Sequence, residues 1–386
     1  MDFSWSNEQR EWYDTIRTFA ERKLNNTIQQ RDRDHEFGAE EWRLCGEFGL
    51  LGLPVPEKYG GLGLDALTTA YAVEAFGRGC LDAGLVFSAT AHQFACLMPI
   101  VEHGSEELKQ RLLPKLSRGE WVGSNGITES ESGSDAFSLK SRAVADGDEY
   151  VINGEKSFVT NGPIADVFLV YASTNPKHGY MGISAFIVPK GAPGLTVGQP
   201  FTKIGLSTSP MCTIYLDNVR VPKSNRLNEE GQGANVFKSS MNWERACLFG
   251  AWVGVMDRQL EQCVAFAKER RQFGKPIAKY QAISHRIADM KLRLDAARLL
   301  LYRACWLKDQ GEDSVVEVAM SKIAVSEGVI QSSLDSIQIH GALGVVAESG
   351  IERALRDSVS CTIYSGTSEI QRELIAQGIG LLGSKT

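Results

Sequence analysis

The sequence has no cysteine framework. Its eight cysteines, at positions 45, 80, 96, 212, 247, 263, 305 and 361, are scattered without a single C-x-x-C pair. That excludes the familiar zinc and disulfide spacings, so no metal site is expected, and it suits a reducing cytoplasm. A charge excess is missing too. The 41 Lys and Arg residues against 47 Asp and Glu give a net charge of −6, which offers nucleic acid no footing. No stretch approaches the length of uncharged apolar residues that a membrane span needs, so no membrane association is expected. The first residues, MDFSWSNEQREWYDTIRTFAERKL, are charged and amphipathic without an apolar h-region, so no signal peptide is expected. Internal repeats are also missing.

What is present is a globular chain of 386 residues, 43% hydrophobic and 23% charged, long enough for two or three domains. Residues 1–120 read as helical. Ser6 or Asn7 caps a first helix, a second covers Ala66 to Gly79, and SEELKQRLLPKLSRGE is amphipathic with an interruption at Pro114. From 121 to 235 the runs SRAVA, YVING, KSFVT, VFLVYAS, ISAFIVP and CTIYLDNVRVP are β-rich and separated by turn residues. From 236 to 386 helical periodicity returns, with Ile283, Ile287, Met290, Leu294, Ala297 and Leu301 on one face. The expected class is α+β: a helical domain (1–120), a middle β domain (121–235) and a C-terminal helical domain (236–386).

The stretch Met241–Pro276 organises the chain. It begins with Glu244 beside Arg245, continues as an apolar-rich helical run and ends in Arg270, Arg271, Phe273, Gly274 and Pro276, the last two marking its stop. At about 1.5 Å per residue, roughly 40 Å separates Glu244 from Arg270. An acid at one end and an anion-binding Arg at the other suit two sites or two ends of a long ligand, although a core helix with an acidic first turn has the same pattern. In NGITESESGSD, the hydroxyls of Thr128, Ser132 and Ser134 around Gly133 suit a polar ring edge or a phosphate, or form a plain Ser/Gly turn. KSFVTNG puts Phe158 and Thr160 on one side of a strand, where an aromatic beside a hydroxyl covers a flat cofactor or fills a core. QIHGALG holds Gln338, Gly341 and Gly344, small residues that let a backbone approach a ligand. His340, alone there, is assigned no role. YSGTSEIQREL leads into a helix that Thr367 or Ser368 caps.

Taken together, GITESESGSD, KSFVTNG, RRQFGKPIAKYQA, QIHGALG and YSGTSEIQ, in an α–β–α order, resemble the acyl-CoA dehydrogenase superfamily over nearly the whole chain. The resemblance implies a fold with an N-terminal helical domain, a middle β-barrel-like domain and a C-terminal four-helix-type domain. It also implies FAD, an acyl thioester substrate and a homotetramer built as a dimer of dimers. Thr128, Ser134, Phe158 and Thr160 match positions that contact the flavin and the thioester side. Arg270, Phe273, Gln281, Gln338 and Gly341 match positions that reach FAD held mainly by a neighbouring subunit, and Thr367 and Glu369 match positions beside the same cofactor. Ser134 and Arg245 are the substrate-binding candidates.

The departures direct the reading. The family's usual base is a Glu between Tyr and Gly; here YSGT places Ser365 there, and a serine hydroxyl is far too weak for the task. A branch similar to isovaleryl-CoA dehydrogenase carries its base on the helix that here holds Trp243-Glu244-Arg245, so Glu244 is the candidate catalytic base. Ser130 replaces the usual Pro, and Phe158 the usual Trp. AHQFACLMPIVEHGS, SSMNWERACL and LLLYRACWLKDQG resemble the subgroup that oxidises prolyl groups on acyl or peptidyl carrier proteins in natural-product biosynthesis. That implies a phosphopantetheine arm, a carrier-protein partner, a pyrroline or pyrrole product, and oxygen or an electron-transfer flavoprotein as acceptor. Two alternatives stay open: a short- or branched-chain acyl-CoA dehydrogenase using Glu244, and a thioester-binding homologue without catalysis.

Overall fold

The computed structural model of the chain describes residues 4–382; residues 1–3 of the amphipathic start and residues 383–386 of the C-terminal segment lie outside the described residues. Among the described residues, seven α-helices come first: α1 (Asn7–Lys23), α2 (Ile28–Asp34), α3 (Ala39–Phe48), α4 (Ala66–Gly79), α5 (Ala83–Ala91), α6 (Met98–His103) and α7 (Glu106–Ser117). Their starts follow capping chemistry. Ser6 closes a capping box with Gln9. Asp65, Asp82 and Ser105 accept the N–H groups of Thr68, Leu85 and Leu108. The interruption expected at Pro114 does not occur. Pro114 lies inside α7 and lacks a donor, but burial of Leu108, Leu112, Leu113 and Leu116 carries the helix through.

Ala83–His103 is one helical run whose middle turn, His92–Leu97, is widened to π geometry. Contrary to the expectation that no stretch is long and apolar enough to cross a membrane, this run of 21 residues is, and 83% of its apolar window is buried inside the protein. It is the spine of the N-terminal core. His92 sits at its centre between the helices and the sheet: Gly123 N–H donates to Nδ1 at 2.8 Å, and Nε2 lies 3.0 Å from the Leu116 carbonyl. With Nδ1 accepting, Nε2 carries the proton, and burial pushes the imidazole down to about 4, so it stays neutral.

Eight strands follow: β1 (Gly123–Gly126), β2 (Arg142–Asp146), β3 (Glu149–Thr160), β4 (Val167–Ser173), β5 (Ile183–Pro189), β6 (Leu195–Val197), β7 (Met211–Pro222) and β8 (Arg226–Leu227). They form one sheet in the order β6-β7-β3-β2-β4-β5-β8, with β1 parallel beside β4. Period-two alternation divides β4 between two cores. Val167, Leu169 and Tyr171 pack toward the helices, whereas Phe168, Val170 and Ala172 join Phe186, Ile214 and Val219 on the other side. The two runs YVING and KSFVT are one strand, β3, with register shifts against β7 near Gly154 and Phe158.

The C-terminal helices are α8 (Gly233–Trp243), α9 (Gly250–Glu269), α10 (Gln281–Asp309), α11 (Val315–His340), α12 (Arg353–Ser358) and α13 (Ser368–Gly378). A π turn, Glu244–Leu248, joins α8 to α9. Two sequence expectations therefore change. Glu244 lies within a helical run rather than at its start, because the amphipathic segment before it is already helical. The run also stops at Glu269, before Gly274: Arg270 is extended and begins a hairpin, Arg271–Gln272 against Lys275–Pro276, with Phe273 and Gly274 at its turn. Close packing of α9 on α4 needs small residues. A Cβ on Gly77 would lie 2.1 Å from the Ala251 carbonyl oxygen, and one on Gly254 2.1 Å from that of Glu74.

Candidate active site

Between the sheet, the α5–α6 run, the π turn and the loop before α13 lies a cleft of about 630 Å³. That volume suits a sizeable ligand. Among the described residues, Glu244 is the one carboxylate in its lining. The π turn widens the helix there, as such turns often do at functional positions, and turns Glu244 into the cleft. Each of its oxygens accepts one hydroxyl: Oε1 from Ser240 at 3.1 Å, and Oε2 from Ser365 at 2.7 Å. Burial pushes this carboxyl upward. The Ser365 and Ser240 hydroxyls and the neighbouring Arg245 charge pull the other way without cancelling it. The result is a desolvated, raised carboxyl facing a ligand-sized space, which is the environment a general base needs.

The loop that brings Ser365 there is tightly specified. Ser365 has φ of 54° and Gly366 φ of 88°, both in the left-handed region. Arg245 Nε donates to the Ser365 carbonyl at 2.7 Å, and Gln371 Nε2 donates to the Gly366 carbonyl at 3.0 Å. A Cβ on Gly366 would meet Gln371 Nε2 at 2.8 Å and Arg245 at 3.0 Å, so only glycine fits without displacement. Thr367 then caps α13 by accepting the Ile370 N–H. Tyr364 presents its ring to Phe87 and Phe249 at 4.6 and 5.5 Å, and its hydroxyl accepts from Trp252 Nε1 at 2.6 Å.

The lining contributed by β3 and the loop after β1 is amphipathic. Thr128, Ser134, Ser157, Phe158 and Thr160 make it up together. Phe158, at a bulge with φ of 56°, is 59% exposed; Ile204 and Ile363, also in the lining, are 63% and 62% exposed. Large apolar faces left open beside a row of hydroxyls fit a planar ring with a hydrogen-bonding edge, as in a flavin. Lys203 also lines the cleft, its ammonium donating to the Ser209 carbonyl at 2.7 Å and pushed down by burial.

The sequence candidates thus fall into two groups. Glu244, Arg245, Thr128, Ser134, Phe158, Thr160 and Thr367 share the cleft. Arg270, Phe273, Gln281, Gln338 and Gly341 do not line it. They gather instead at the far ends of α9 and α11 and the start of α10, where the Phe266 ring of α9 meets the His340 ring, tilted, at 4.4 Å between centroids. Phe273 is 93% exposed. Glu369 is exposed on the first turn of α13, next to the cleft-lining Thr367 but outside the lining. Sequence reasoning missed Ser240, although a hydroxyl four residues before an acid on a helix is a readable signal. It also missed Lys203, Ile204 and Leu206, which lie on a loop without periodicity.

Comparison with known proteins agrees along the whole chain. Residues 6–120, 124–219 and 231–380 match the family models for the N-terminal, middle and C-terminal domains of acyl-CoA dehydrogenase. A Pseudomonas fluorescens protein named L-prolyl-[peptidyl-carrier protein] dehydrogenase is 52% identical over 383 residues, covering 99% of this chain and 100% of the relative. A Serratia protein of the same name is 43% identical, with both chains fully covered. Among solved structures, the prolyl acyl carrier protein oxidase AnaB superposes with a TM-score of 0.96 at 42% identity, covering 98% of this chain and 100% of that one. PigA with FAD and proline superposes with a TM-score of 0.97 at 43% identity, covering 99% and 100%.

Proposed function

The chain belongs to the acyl-CoA dehydrogenase family, and from that premise we propose that it is an FAD-dependent oxidoreductase that dehydrogenates a prolyl group held as a thioester on a carrier protein. The observation that carries the reading is the exchange at the base. The position where the family usually has its Glu is Ser365, and among the described residues the cleft's one carboxylate is Glu244, which accepts the Ser365 hydroxyl. Relatives at 52% and 43% identity named for prolyl-carrier-protein dehydrogenation support the substrate class.

FAD, when bound, supplies the two-electron acceptor. The residues of this chain do the rest. Phe158, Ile204 and Ile363 would cover its apolar ring surface, and the hydroxyls of Thr128, Ser134 and Thr160 would meet its polar edge and the thioester side. Glu244 removes the proton from the carbon next to the thioester carbonyl, an acidic position because the carbonyl delocalises the charge left behind. Burial holds the carboxylate poorly solvated, so the proton it gains is well bound. Arg245 fixes the loop opposite through the Ser365 carbonyl.

The second group of residues serves a second protomer in this reading. Arg270, with its paired donors, suits a pyrophosphate, and exposed Phe273 and Gln281 extend the same surface. This surface would complete the FAD site of a neighbouring protomer, in a homotetramer. The phosphopantetheine arm threads the cleft while the carrier protein stays outside, as part of natural-product assembly. The test is mass analysis of a prolyl-loaded carrier protein after incubation with the FAD-loaded enzyme. Loss of two or four hydrogens is expected; an unchanged prolyl mass, with flavin bleached by a plain acyl-CoA instead, overturns the substrate assignment.

A further inference from the structure

We propose that Ser365 is a positioning residue for Glu244: its hydroxyl clamps one carboxylate oxygen and sets the pH range over which the base is available. The proposal rests on the reading of Glu244 as base, and it gives a role to the residue that stands where that base is missing. Three observations carry it. The Ser365 hydroxyl is 2.7 Å from Glu244 Oε2, the shorter of the two hydroxyl contacts to the carboxylate. Its backbone is held in the left-handed region, which serine enters at a cost, so the surroundings impose the conformation that aims the hydroxyl. The shorter hold on it comes from Arg245, the sequence neighbour of Glu244, whose Nε donates to the Ser365 carbonyl at 2.7 Å, with Gln371 Nε2 donating to the same carbonyl at 3.4 Å. Base and clamp are therefore fixed to one another by adjacent residues of the same π turn.

The physical effect has a definite sign. Ser365 donates to the charged carboxylate, so it favours ionisation against the burial that opposes it. The other groups around Glu244 do not replace it. Arg245, half-buried beside it, contributes charge. Tyr171 on β4 and Tyr364 ahead of the loop are held as neutral phenols by burial and by the Glu244 charge. Lys322 of α11 lies behind the turn, its ammonium 5.6 Å from the Phe249 ring centroid. Cys305 of α10 donates to the Ala246 carbonyl. Across the cleft, Lys203 is engaged by the Ser209 carbonyl. Ser240, at 3.1 Å, is the remaining hydroxyl donor. Removing the Ser365 hydroxyl therefore raises the midpoint of Glu244, and the base becomes available only at higher pH.

The experiment reads Glu244 directly in resting, FAD-loaded enzyme without substrate. Its carboxyl band is followed by infrared difference spectroscopy against pH, with Glu244→Gln as the subtraction. Because no substrate is present, failure here is separate from failure of the substrate assignment. Ser365→Ala should move the midpoint up by about one pH unit, the scale of a charge-assisted hydrogen bond. Ser365→Gly relieves the left-handed backbone and removes the hydroxyl, so it should fold at least as well and shift equally. Ser240→Ala should shift less. The acid limb of substrate-driven flavin bleaching should follow the same displacement, with the rate recovering at high pH. Unmoved midpoints in both Ser365 variants, or a larger shift in Ser240→Ala, overturn the proposal.

Discussion

Lys156→Met tests how the hydroxyl-lined side of the cleft is held. Lys156 in β3 and Glu129 in the loop between β1 and β2 form a buried ion pair at 2.6 Å, with side chains 0% and 3% exposed. The pair ties the loop carrying Thr128 and Ser134 to the strand carrying Phe158 and Thr160. Burial pushes the Lys156 ammonium down to about 8, with Glu129 opposing the shift. Glu129 is held below its ordinary value: burial would raise it, but Lys156, the Ser141 hydroxyl and the Lys140 N–H outweigh that. Breaking a buried pair by removing one partner costs about 3–5 kcal/mol. Glu129 keeps three donors, from the Lys140 N–H at 2.6 Å, the Ser141 N–H at 3.1 Å and the Ser141 hydroxyl at 2.6 Å, which places the loss near the lower end of that range. At about 2.1 cal/mol/K of unfolding entropy per residue over 386 residues, thermal unfolding at neutral pH should therefore show a melting temperature lower by roughly 4 °C, with faster FAD loss on gel filtration. The pH dependence has a sign. A carboxylate with a depressed folded pKa stabilises above its unfolded value and loses that contribution as pH falls through the folded one. The gap between wild type and Lys156→Met should narrow as pH falls below the ordinary carboxylate range. A variant that melts within about 2 °C of wild type at neutral pH would refute the claim that this pair holds that side.

Arg270→Ala and Phe273→Ala should each weaken FAD retention and lower the apparent mass in solution together, because ligand and assembly are linked; a monomer that keeps FAD fully contradicts the shared site. Turnover of the carrier-bound substrate should fall as salt rises from low to physiological strength, where screening acts beyond about 8 Å, while turnover of a free prolyl-pantetheine thioester should change little; equal salt responses contradict electrostatic docking of a carrier protein. Gly366→Ala should cut the bleaching rate at constant FAD content, because its Cβ would crowd Gln371 and Arg245; a wild-type rate would show that the loop can give way.

Much of this was legible in the sequence, and the rest fails for identifiable reasons. Met290, Leu294, Ala297 and Leu301 of α10 are buried at the helical spacing read from the sequence, whereas Ile283 and Ile287, near the free end of the helix, are only half-buried. Glu244 stood out as a lone acid leading into an apolar run. Its place inside a π turn did not, because that turn follows from how α8 and α9 pack rather than from local propensity. β3 read as two strands since Gly154 looks like a break; its missing Cβ admits Ser141, whose Oγ would otherwise be 2.3 Å away. Ala83–His103 falls in the region read as helical, but its apolar length does not stand out, because His92 and small residues dilute its apolar character. Phe273 carries no periodic signal, and only family resemblance marked it. Ser365 was visible as a departure, but its bond to Glu244 joins residues 121 positions apart, which no local pattern encodes.

The central claim is that Glu244 is the base, and stopped-flow flavin bleaching with the prolyl-loaded carrier protein tests it most directly. Glu244→Gln keeps the shape of the side chain and its contacts with Ser240 and Ser365 while removing basicity. The account predicts a bleaching rate lower by a factor of roughly a hundred or more, the scale of general-base catalysis, with FAD content and carrier binding largely intact. Bleaching of Glu244→Gln at the wild-type rate would contradict it.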